Sequence, residues 1–459
     1  MIFDNLLAKW AERNGYRKGR SGGSFTSGFY SGREYVDPKD KSSLLRAYKH
    51  WVYICANKNA TVVSKQPLRL YVIKTQRDVD SGRKLLQPTK EIDKATYNYL
   101  KQNHYDRMRK AAVVSGNMVV EEVIEHPFLD LIKKPNSFLN QKDFIYLTQL
   151  FKELSGDSYW YKNLNAIKQP KELWNLYPNM ISIVPGSQKY VAGYIYVRED
   201  VEKIPIKPEE MTHFLFPNPN DRFYGASPVV AVASSYNIRE NADNYENALF
   251  TNMGTLEGYF TTKESVNDAE FERLKEQIKQ NWSGVKNAGK SPILDNGLDY
   301  KPVSQSPRDL SYVELRKETR EEIAAAFGVP MSKIITENVN KANSQTGSHD
   351  YEADTIQPRL VSLAEEINSD ILPIYSENLF CAFDNPVRED AQITIDRNVK
   401  YATTGIYSRN EVRKDEGKPP ITSIEGLEGL DIPLNPSNTI PMGQENPNED
   451  NQAKNEEKE

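Results

Sequence analysis

The chain has 459 residues, 38% of them hydrophobic and 27% charged, with a formal net charge of -5. That length allows two to four domains with a substantial core, and the slight acidity argues against a broad basic groove gripping nucleic acid. Asp4 and Asn5 interrupt any early apolar run of the signal-peptide kind, and no stretch approaches the ~20 apolar residues of a membrane span, so assembly in the cytoplasm is expected.

The chemistry-bearing residues are sparse. Cys55 and Cys381 lie far apart in apolar or aromatic surroundings and read as buried free thiols of a reducing compartment. None of His50, His104, His126, His213 and His349 pairs at short spacing, which argues against a zinc or di-iron site. His126 and His213 sit beside apolar residues and read as core or hydrogen-bonding side chains. No G-x-S-x-G elbow occurs. Neither catalytic residues nor a cofactor are expected.

In chain order, residues 1–42 begin with a short amphipathic segment (Phe3, Leu6, Leu7, Trp10) and run into a Gly/Ser tract too poor in aliphatic residues to fold alone. An arm is expected there. Residues 43–66 carry Leu45, Tyr48, Val52, Cys55, Ala56, Asn59 and Val63 at helical spacing. Pro67 ends that helix, and Leu68 to Ile73 reads as a strand. Residues 74–121 lack sustained periodicity and read as a peripheral insertion. A short helix over 126–132, a turn and a longer helix over 138–154 follow. After Gly156, strand signals recur at 158–163, 172–178, 181–185, 193–197 and 211–216, implying an antiparallel sheet packed on helices. The first half is therefore expected to be α+β.

The character then changes. Ser227 is an N-cap, Pro228 fits the first helical turn and Gly254 lies just past the end, predicting one helix of about 26 residues and roughly 39 Å. A second capped helix is expected from Ser306, Pro307 and Asp309 to Phe327, with Gly328 and Pro330 beyond it. Between them lies a small α/β insert containing GVKNAGKS (Gly284 to Ser291), which satisfies the phosphate-loop pattern G-x-x-x-x-G-K-[ST]. A phosphate loop needs a strand before it and a helix after it. Here an amphipathic helix precedes (Phe271, Leu274, Ile278, Trp282), and Pro292 with an Asn296-Gly297 turn and alternating Leu298, Tyr300 and Pro302 follows. The order is reversed, so the segment reads as a structural loop, with an NTPase kept only as an alternative.

Past Pro330 comes a polar loop to residue 348, then a helix with Leu360, Leu363, Ile367 and Ile371 on one face. Ser408, with Glu411 three residues on, reads as a capping box opening a short helix that ends near Gly417. The tail after about Pro436 is Asn/Glu/Lys-rich and reads as disordered.

Taken in order, these segments resemble the portal proteins of tailed bacteriophages with HK97-type capsids. The residues carrying the likeness include WVYICANKNATVVSKQPLRLY (Trp51 to Tyr71), HPFLDLIKKPN (His126 to Asn136) and FKELSGDSYWYKN (Phe151 to Asn163). They continue through LWNLYPNMISIV (Leu173 to Val184), FYGASPVVAVASSYNI (Phe223 to Ile238), NWSGVKNAGKSPILDNGLDYKPV (Asn281 to Val303), SPRDLSYVELRKETREEIAAAFGVP (Ser306 to Pro330) and TGIYSRNEVR (Thr404 to Arg413). The order covers roughly residues 48–420. The long 74–121 insertion, the loop after Pro330 and IEGLEGLDI, which stands where the family usually has a glycine pair, depart from the family pattern.

The resemblance implies an α+β portal fold assembled as a ring, dodecameric in the family, at one capsid vertex of the virion. Residues 43–224 would form an α/β wing, 225–253 and 306–329 a long-helix stem, 254–305 a small α/β clip, and 349–436 the wing helix and helical crown, before a 437–459 tail. Implied stem residues are Ser227, Pro228, Asp309 and Phe327, and the clip motif is Gly284, Asn287, Gly289 and Lys290. A tunnel loop over 330–348 would turn Lys333, Asn338, Asn340, Lys341, Asn343, Ser344 and Gln345 toward double-stranded DNA, in weak sequence-independent contacts. Implied partners are further copies of the chain, the terminase large subunit, a head-tail adaptor, and the major capsid protein or scaffold. Another head-tail connector component is the alternative within the same class.

Overall fold

The computed structural model describes residues 36–73, 88–104, 106–108, 120–186, 190–198, 202–252, 258–262, 267–281, 298–302, 312–335, 347–387, 391–415, 418–419 and 421. The chain divides into two compact units, residues 1–90 with 109–384 and residues 91–108 with 385–459.

The expected 43–66 helix is two helices. Helix α1 (Lys41–Arg46) is capped by the Asp40 carboxylate, which accepts from the Ser42 and Ser43 amides, and α2 (His50–Ser64) starts anew after a turn. His50 takes a φ of 48°, in the left-handed region, which no continuous helix permits. Pro67 ends α2 and β1 (Leu68–Ile73) follows. The 74–121 stretch holds β2 (Thr89–Glu91), α3 (Lys94–Asn103) and β3 (Val120–Val123). Its end is integral rather than peripheral, because β3 pairs with β1, Ile73 opposite Val120 and Val72 opposite Glu121.

Helices α4 (Pro127–Lys133) and α5 (Gln141–Ser155) match the expected short and long helices; His126 caps α4 through Nδ1 and Asn140 caps α5. The strands that follow are β4 (Asp157–Leu164), β5 (Pro170–Leu176), β6 (Ile181–Pro185), β7 (Val191–Arg198), β8 (Glu202–Ile206) and β9 (Met211–Leu215). They form two antiparallel three-stranded sheets, β5-β4-β9 and β6-β7-β8, where the sequence suggested one. Strand β8 escaped notice because Pro205 interrupts it, which an edge strand tolerates.

The long helix expected from Ser227 is also divided. Four residues form α6 (Pro228–Ala231), Val232 leaves helical geometry at φ -108° and ψ 15°, and α7 (Ala233–Asn252) runs on. Val229, Val230 and Val232 crowd the turn with branched Cβ atoms that fit a helix poorly. Strand β10 (Gly258–Thr262), α8 (Asp268–Asn281) and β11 (Leu298–Pro302) come next, with β10 and β11 antiparallel, Phe260 opposite Tyr300. A helix thus precedes and a strand follows the GVKNAGKS segment, which lies outside the described residues; this is the reverse of a phosphate loop. Helix α9 (Tyr312–Ala326) packs on α7 and α2; its expected cap residues Ser306, Pro307 and Asp309 lie outside the described residues.

A π-helical turn, Tyr351–Ile356, leads into α10 (Gln357–Asp370), which buries Leu360, Leu363 and Ile367 as the spacing predicts. Strand β12 (Leu379–Phe383) completes a four-stranded sheet in the order β12-β1-β3-β2. The main core of this first unit is shared by α2, α5, α9, α10 and that sheet, with Phe128, Phe144, Trp160, Phe214 and Phe327 fully buried. Cys55 and Cys381 are buried in it as thiols outside any disulfide, and burial pushes the Cys55 thiol up to about 12.

The second unit contains α3, α11 (Ala391–Thr403) and α12 (Arg409–Asp415). Its clearest sequence signal is a capping box. The Glu411 carboxylate accepts from the Ser408 amide at 2.7 Å while Ser408 Oγ accepts from the Glu411 amide at 3.1 Å.

Candidate functional site

The richest polar cluster lies in the first unit, where the turn from α5 into β4 meets the start of α6 and the end of α9. Gly156 closes α5 with φ 81° and returns its amide to the Lys152 carbonyl at 2.9 Å. Its backbone lies against Gly225: a Cβ on Gly225 would sit 2.1 Å from the Gly156 carbonyl oxygen, and one on Gly156 would sit 2.5 Å from the Gly225 carbonyl. Only glycine fits at either position. This contact aims Ser227 at α5. Ser227 Oγ donates to the Glu153 carbonyl at 2.8 Å and accepts from the Val229 amide at 3.0 Å, so one hydroxyl caps α6 and moors it.

The other helix end reaches the same residue through its side chain. At the end of α9 the Phe327 carbonyl accepts from Asn59 Nδ2 at 2.9 Å and Arg359 Nη2 at 3.2 Å. Arg359 in turn donates through Nε to Glu153 Oε1 at 2.6 Å and through Nη1 to the Thr355 carbonyl at 2.9 Å. Gly328 turns the chain at φ 68°, and its carbonyl accepts from Thr355 Oγ1 at 2.8 Å. Gln149 Nε2 donates to Glu153 Oε1 at 2.7 Å. Glu153 is fully buried. Its main chain therefore holds the start of α6, and its carboxylate, through Arg359, holds the end of α9.

A second buried carboxylate braces the turn. Asp157 accepts from Lys41 Nζ and His213 Nε2, each at 2.8 Å, and from the Gly225 amide at 2.8 Å. Burial alone would raise its pKa, but the His213 hydrogen bond and the Lys41 charge outweigh it and hold the carboxyl below its ordinary value. Burial lowers Lys41, whose ammonium lies 3.9 Å from the Tyr224 ring centroid. Lys152 is fully buried, with Nζ 3.1 Å from Ser362 Oγ; burial brings it down to about 8 against the opposing pull of Glu153 and Glu366. Burial raises the Glu366 carboxyl. Asp370 accepts from Lys162 at 2.6 Å and from Thr212 Oγ1.

Each of Glu153, Asp157, Arg359 and Ser227 spends its hydrogen bonds on a structural partner. Among the described residues no three His, Cys, Asp or Glu side chains gather to hold a metal ion, and no helix is long and apolar enough to cross a membrane. The arrangement is a mechanical joint that fixes two long helices to a mixed body.

Of the residues singled out in the sequence, the structure brings Ser227, Pro228 and Phe327 to this joint. Lys333 ends a 3-10 turn (Met331–Lys333) and lines a groove beside α2. Asp309, the clip residues Gly284, Asn287, Gly289 and Lys290, and the loop residues Asn338, Asn340, Lys341, Asn343, Ser344 and Gln345 lie outside the described residues. Sequence reasoning missed Glu153, Asp157, Arg359 and Lys41. The one local signal was a Gly-Asp pair directly after an amphipathic helix, since a carboxylate entering a strand invites a buried partner.

Exposed faces complete the picture. The α7 residues Ser234, Ile238, Asn241, Asn244 and Asn247 are exposed, as are Lys317, Glu318, Glu321 and Glu322 on α9, while Arg316 is drawn to Asp243 at 3.0 Å across the helix pair.

A family model described as phage portal protein matches residues 107–417. An uncharacterized protein of Rickettsia felis (strain ATCC VR-1525 / URRWXCal2) is 26% identical over 320 residues, 67% of this chain and 82% of the relative. A probable portal protein of Streptomyces phage phiC31 is 25% identical over 220 residues, 46% of this chain and 48% of the relative. Among solved structures, a chain from the neck of an empty GTA particle computed with C6 symmetry shares the fold with a TM-score of 0.54 at 22% identity, covering 85% of this chain and 97% of that one. One from the neck of a native GTA particle computed with C12 symmetry has a TM-score of 0.53 at 21% identity, with the same coverage.

Proposed function

The chain belongs to the phage portal protein family, and from that premise we propose that it is the subunit of a ring set at one capsid vertex of a virion, through which double-stranded DNA enters during packaging and leaves during ejection. The ring would be twelvefold, the symmetry with which the neck of a fold neighbour was computed. The protein acts without a catalytic step of its own. A separate terminase supplies the ATP-driven motion, and a head-tail adaptor and the capsid or scaffold protein dock around the ring.

The observation that carries this reading is the rooted helix pair. Helix α9 and α6, which α7 continues past Val232, stand on a joint that ties both to Glu153, and the exposed side chains of α7 and α9 are mostly amides and carboxylates. In the proposed ring this pair is the stem, residues 43–224 the wing and residues 254–305 the clip, which carries the Gly284, Asn287, Gly289 and Lys290 motif and as a whole meets the motor and later the adaptor. A duplex passing such a lining, in which Glu318, Glu321 and Glu322 outnumber the exposed Lys317, meets few cations able to hold its phosphates, so it slides. Residues Asn338, Asn340, Lys341, Asn343, Ser344 and Gln345 belong to the tunnel loop in this reading and make the weak contacts.

Electron microscopy of the purified protein tests it: closed rings with a central channel wide enough for a duplex are expected, and only monomers or dimers under assembly conditions refute the reading. For the loop, deleting residues 338–345 should impair DNA packaging or retention while rings still form; unimpaired packaging removes that assignment.

A further inference from the structure

The outer face of α2 carries an open groove of about 410 Å³, with Trp51, Tyr53, Ile54 and Ile334 as its apolar lining and Lys58 and Lys333 as its charges. Tyr53 is 46% and Ile54 37% exposed, unusual for side chains of their size on a helix otherwise built into the core. The Arg320 guanidinium stands 5.8 Å from the Trp51 ring centroid but is paired with Glu321 at 3.8 Å, so the groove's own charges are the two lysines. Among the described residues no carboxylate lines the groove. Asn57 and Thr61 complete a lining that is otherwise apolar and whose charges are both positive.

The complementary segment is in the same chain. The described residues end at Ile421, whose amide and carbonyl are both clamped by the Asn410 side chain, at 3.0 and 3.1 Å. The next fifteen residues read TSIEGLEGLDIPLNP, with Glu425, Glu428 and Asp431 and no basic residue. They contain a three-residue repeat in which Ile424, Leu427 and Leu430 each precede an acid, with Gly426 and Gly429 disfavouring a helix. In an extended backbone with three residues per turn, the aliphatic side chains align on one edge about 9 Å apart and the acids on the next. Trp51 and Lys58 lie about 10 Å apart along α2. The thirteen residues from Thr422 to Leu434 can span about 40 Å.

We propose that residues 422–434 of one copy lie in the α2 groove of a second copy, with Leu427 and Leu430 on the Trp51, Tyr53, Ile54 and Ile334 floor and Glu425 and Glu428 at Lys58 and Lys333. The segment is an acidic, aliphatic strap between neighbours. This rests on the ring reading only in requiring a second copy. It also gives Lys333 a peptide carboxylate as its partner where the family resemblance implied a DNA phosphate. A duplex, with its phosphates outward, offers nothing to the four apolar side chains.

The test places a photo-crosslinker in the groove of the full-length protein, Tyr53→p-benzoylphenylalanine, co-assembled from equal parts of ¹⁵N-labelled and unlabelled copies with DNA present. Mass spectrometry is expected to find the crosslink on residues 422–436, in isotopically mixed pairs. Lys58→Glu with Lys333→Glu should lower the yield at least tenfold, and adding Glu425→Lys with Glu428→Lys should restore it. Crosslinks to another segment, to DNA, only within one copy, or none at all overturn the proposal. Imaging the same sample separates the two readings: rings without the crosslink dispose of the strap alone, whereas the absence of rings disposes of the ring as well.

Discussion

Glu153 holds the two helix roots by different atoms, which makes a selective perturbation possible. In Glu153→Gln the main-chain carbonyl that receives Ser227 is unchanged, but the charge facing Arg359 is gone. Arg359 is 14% exposed and Glu153 0%, so the guanidinium is left in a low-dielectric site without its counter-ion. Removing one partner of such a buried pair costs about 3 to 5 kcal/mol. The loss should appear where Arg359 acts, at the end of α9. Native-state hydrogen exchange reads this directly, because the Val329 amide is bonded to the Ala324 carbonyl at 2.9 Å and the Val229 amide to Ser227 Oγ at 3.0 Å. At about 1.4 kcal/mol per tenfold, Val329 should exchange at least about 100-fold faster, with Val229 within a few-fold of the parent. Equal loss at both amides, or loss at neither, refutes the account of Glu153 as a two-ended moor. Glu153→Met with Arg359→Leu should recover much of the stability, since a well-packed apolar pair can replace a buried ion pair.

Three further expectations follow from the same joint. Gly225→Ala drives a Cβ into the Gly156 carbonyl and should destabilise the chain by about 3 kcal/mol, seen as a lowered denaturation midpoint; an unchanged midpoint contradicts the close approach. Lys152 falls from 10.5 to about 8, so the unfolded chain holds more protons between those values, and this lysine makes stability rise with pH there. Lys152→Met should remove that rise and add about 3 kcal/mol at neutral pH, and a urea-melt series from pH 7 to 10 would show whether the slope persists. Asp157 has the opposite sign: its carboxyl is held below the ordinary value, so its contribution is present above about pH 4 and lost as pH falls through the folded value. Asp157→Asn should flatten that acid limb, and an unaltered acid midpoint would count against the Lys41 and His213 bracing.

The legible parts of this fold are those written in local pattern. The α5 and α10 stripes, strand β6 and the Ser408 with Glu411 box were readable because each depends on neighbours within a few residues. Strand β12 was not. Its five residues, LFCAF, are all buried, and a short continuous apolar run carries no period to tell strand from helix. Strand β3 was hidden in a polar stretch because its partner β1 lies about fifty residues earlier, and no local signal announces a pairing across such a distance. For the same reason the joint left no local trace beyond the Gly156-Asp157 pair. Charged residues at Lys152, Glu153 and Asp157 look like a solvated helix end, and only their distant partners, Ser362, Arg359 and Lys41, explain why they are inside.

Root and bend are separate on the first of the long helices: Ser227 is fastened, and five residues later Val232 departs from helical geometry. The twenty residues of α7 beyond that point extend about 30 Å. The direction set at Val232 therefore places the far tip at about 0.5 Å per degree, so ten degrees at the bend amount to about 5 Å at the tip. The chain thus has a fastened foot at Ser227, a four-residue neck and a twenty-residue arm, and the arm is steadied from the side where Arg316 meets Asp243.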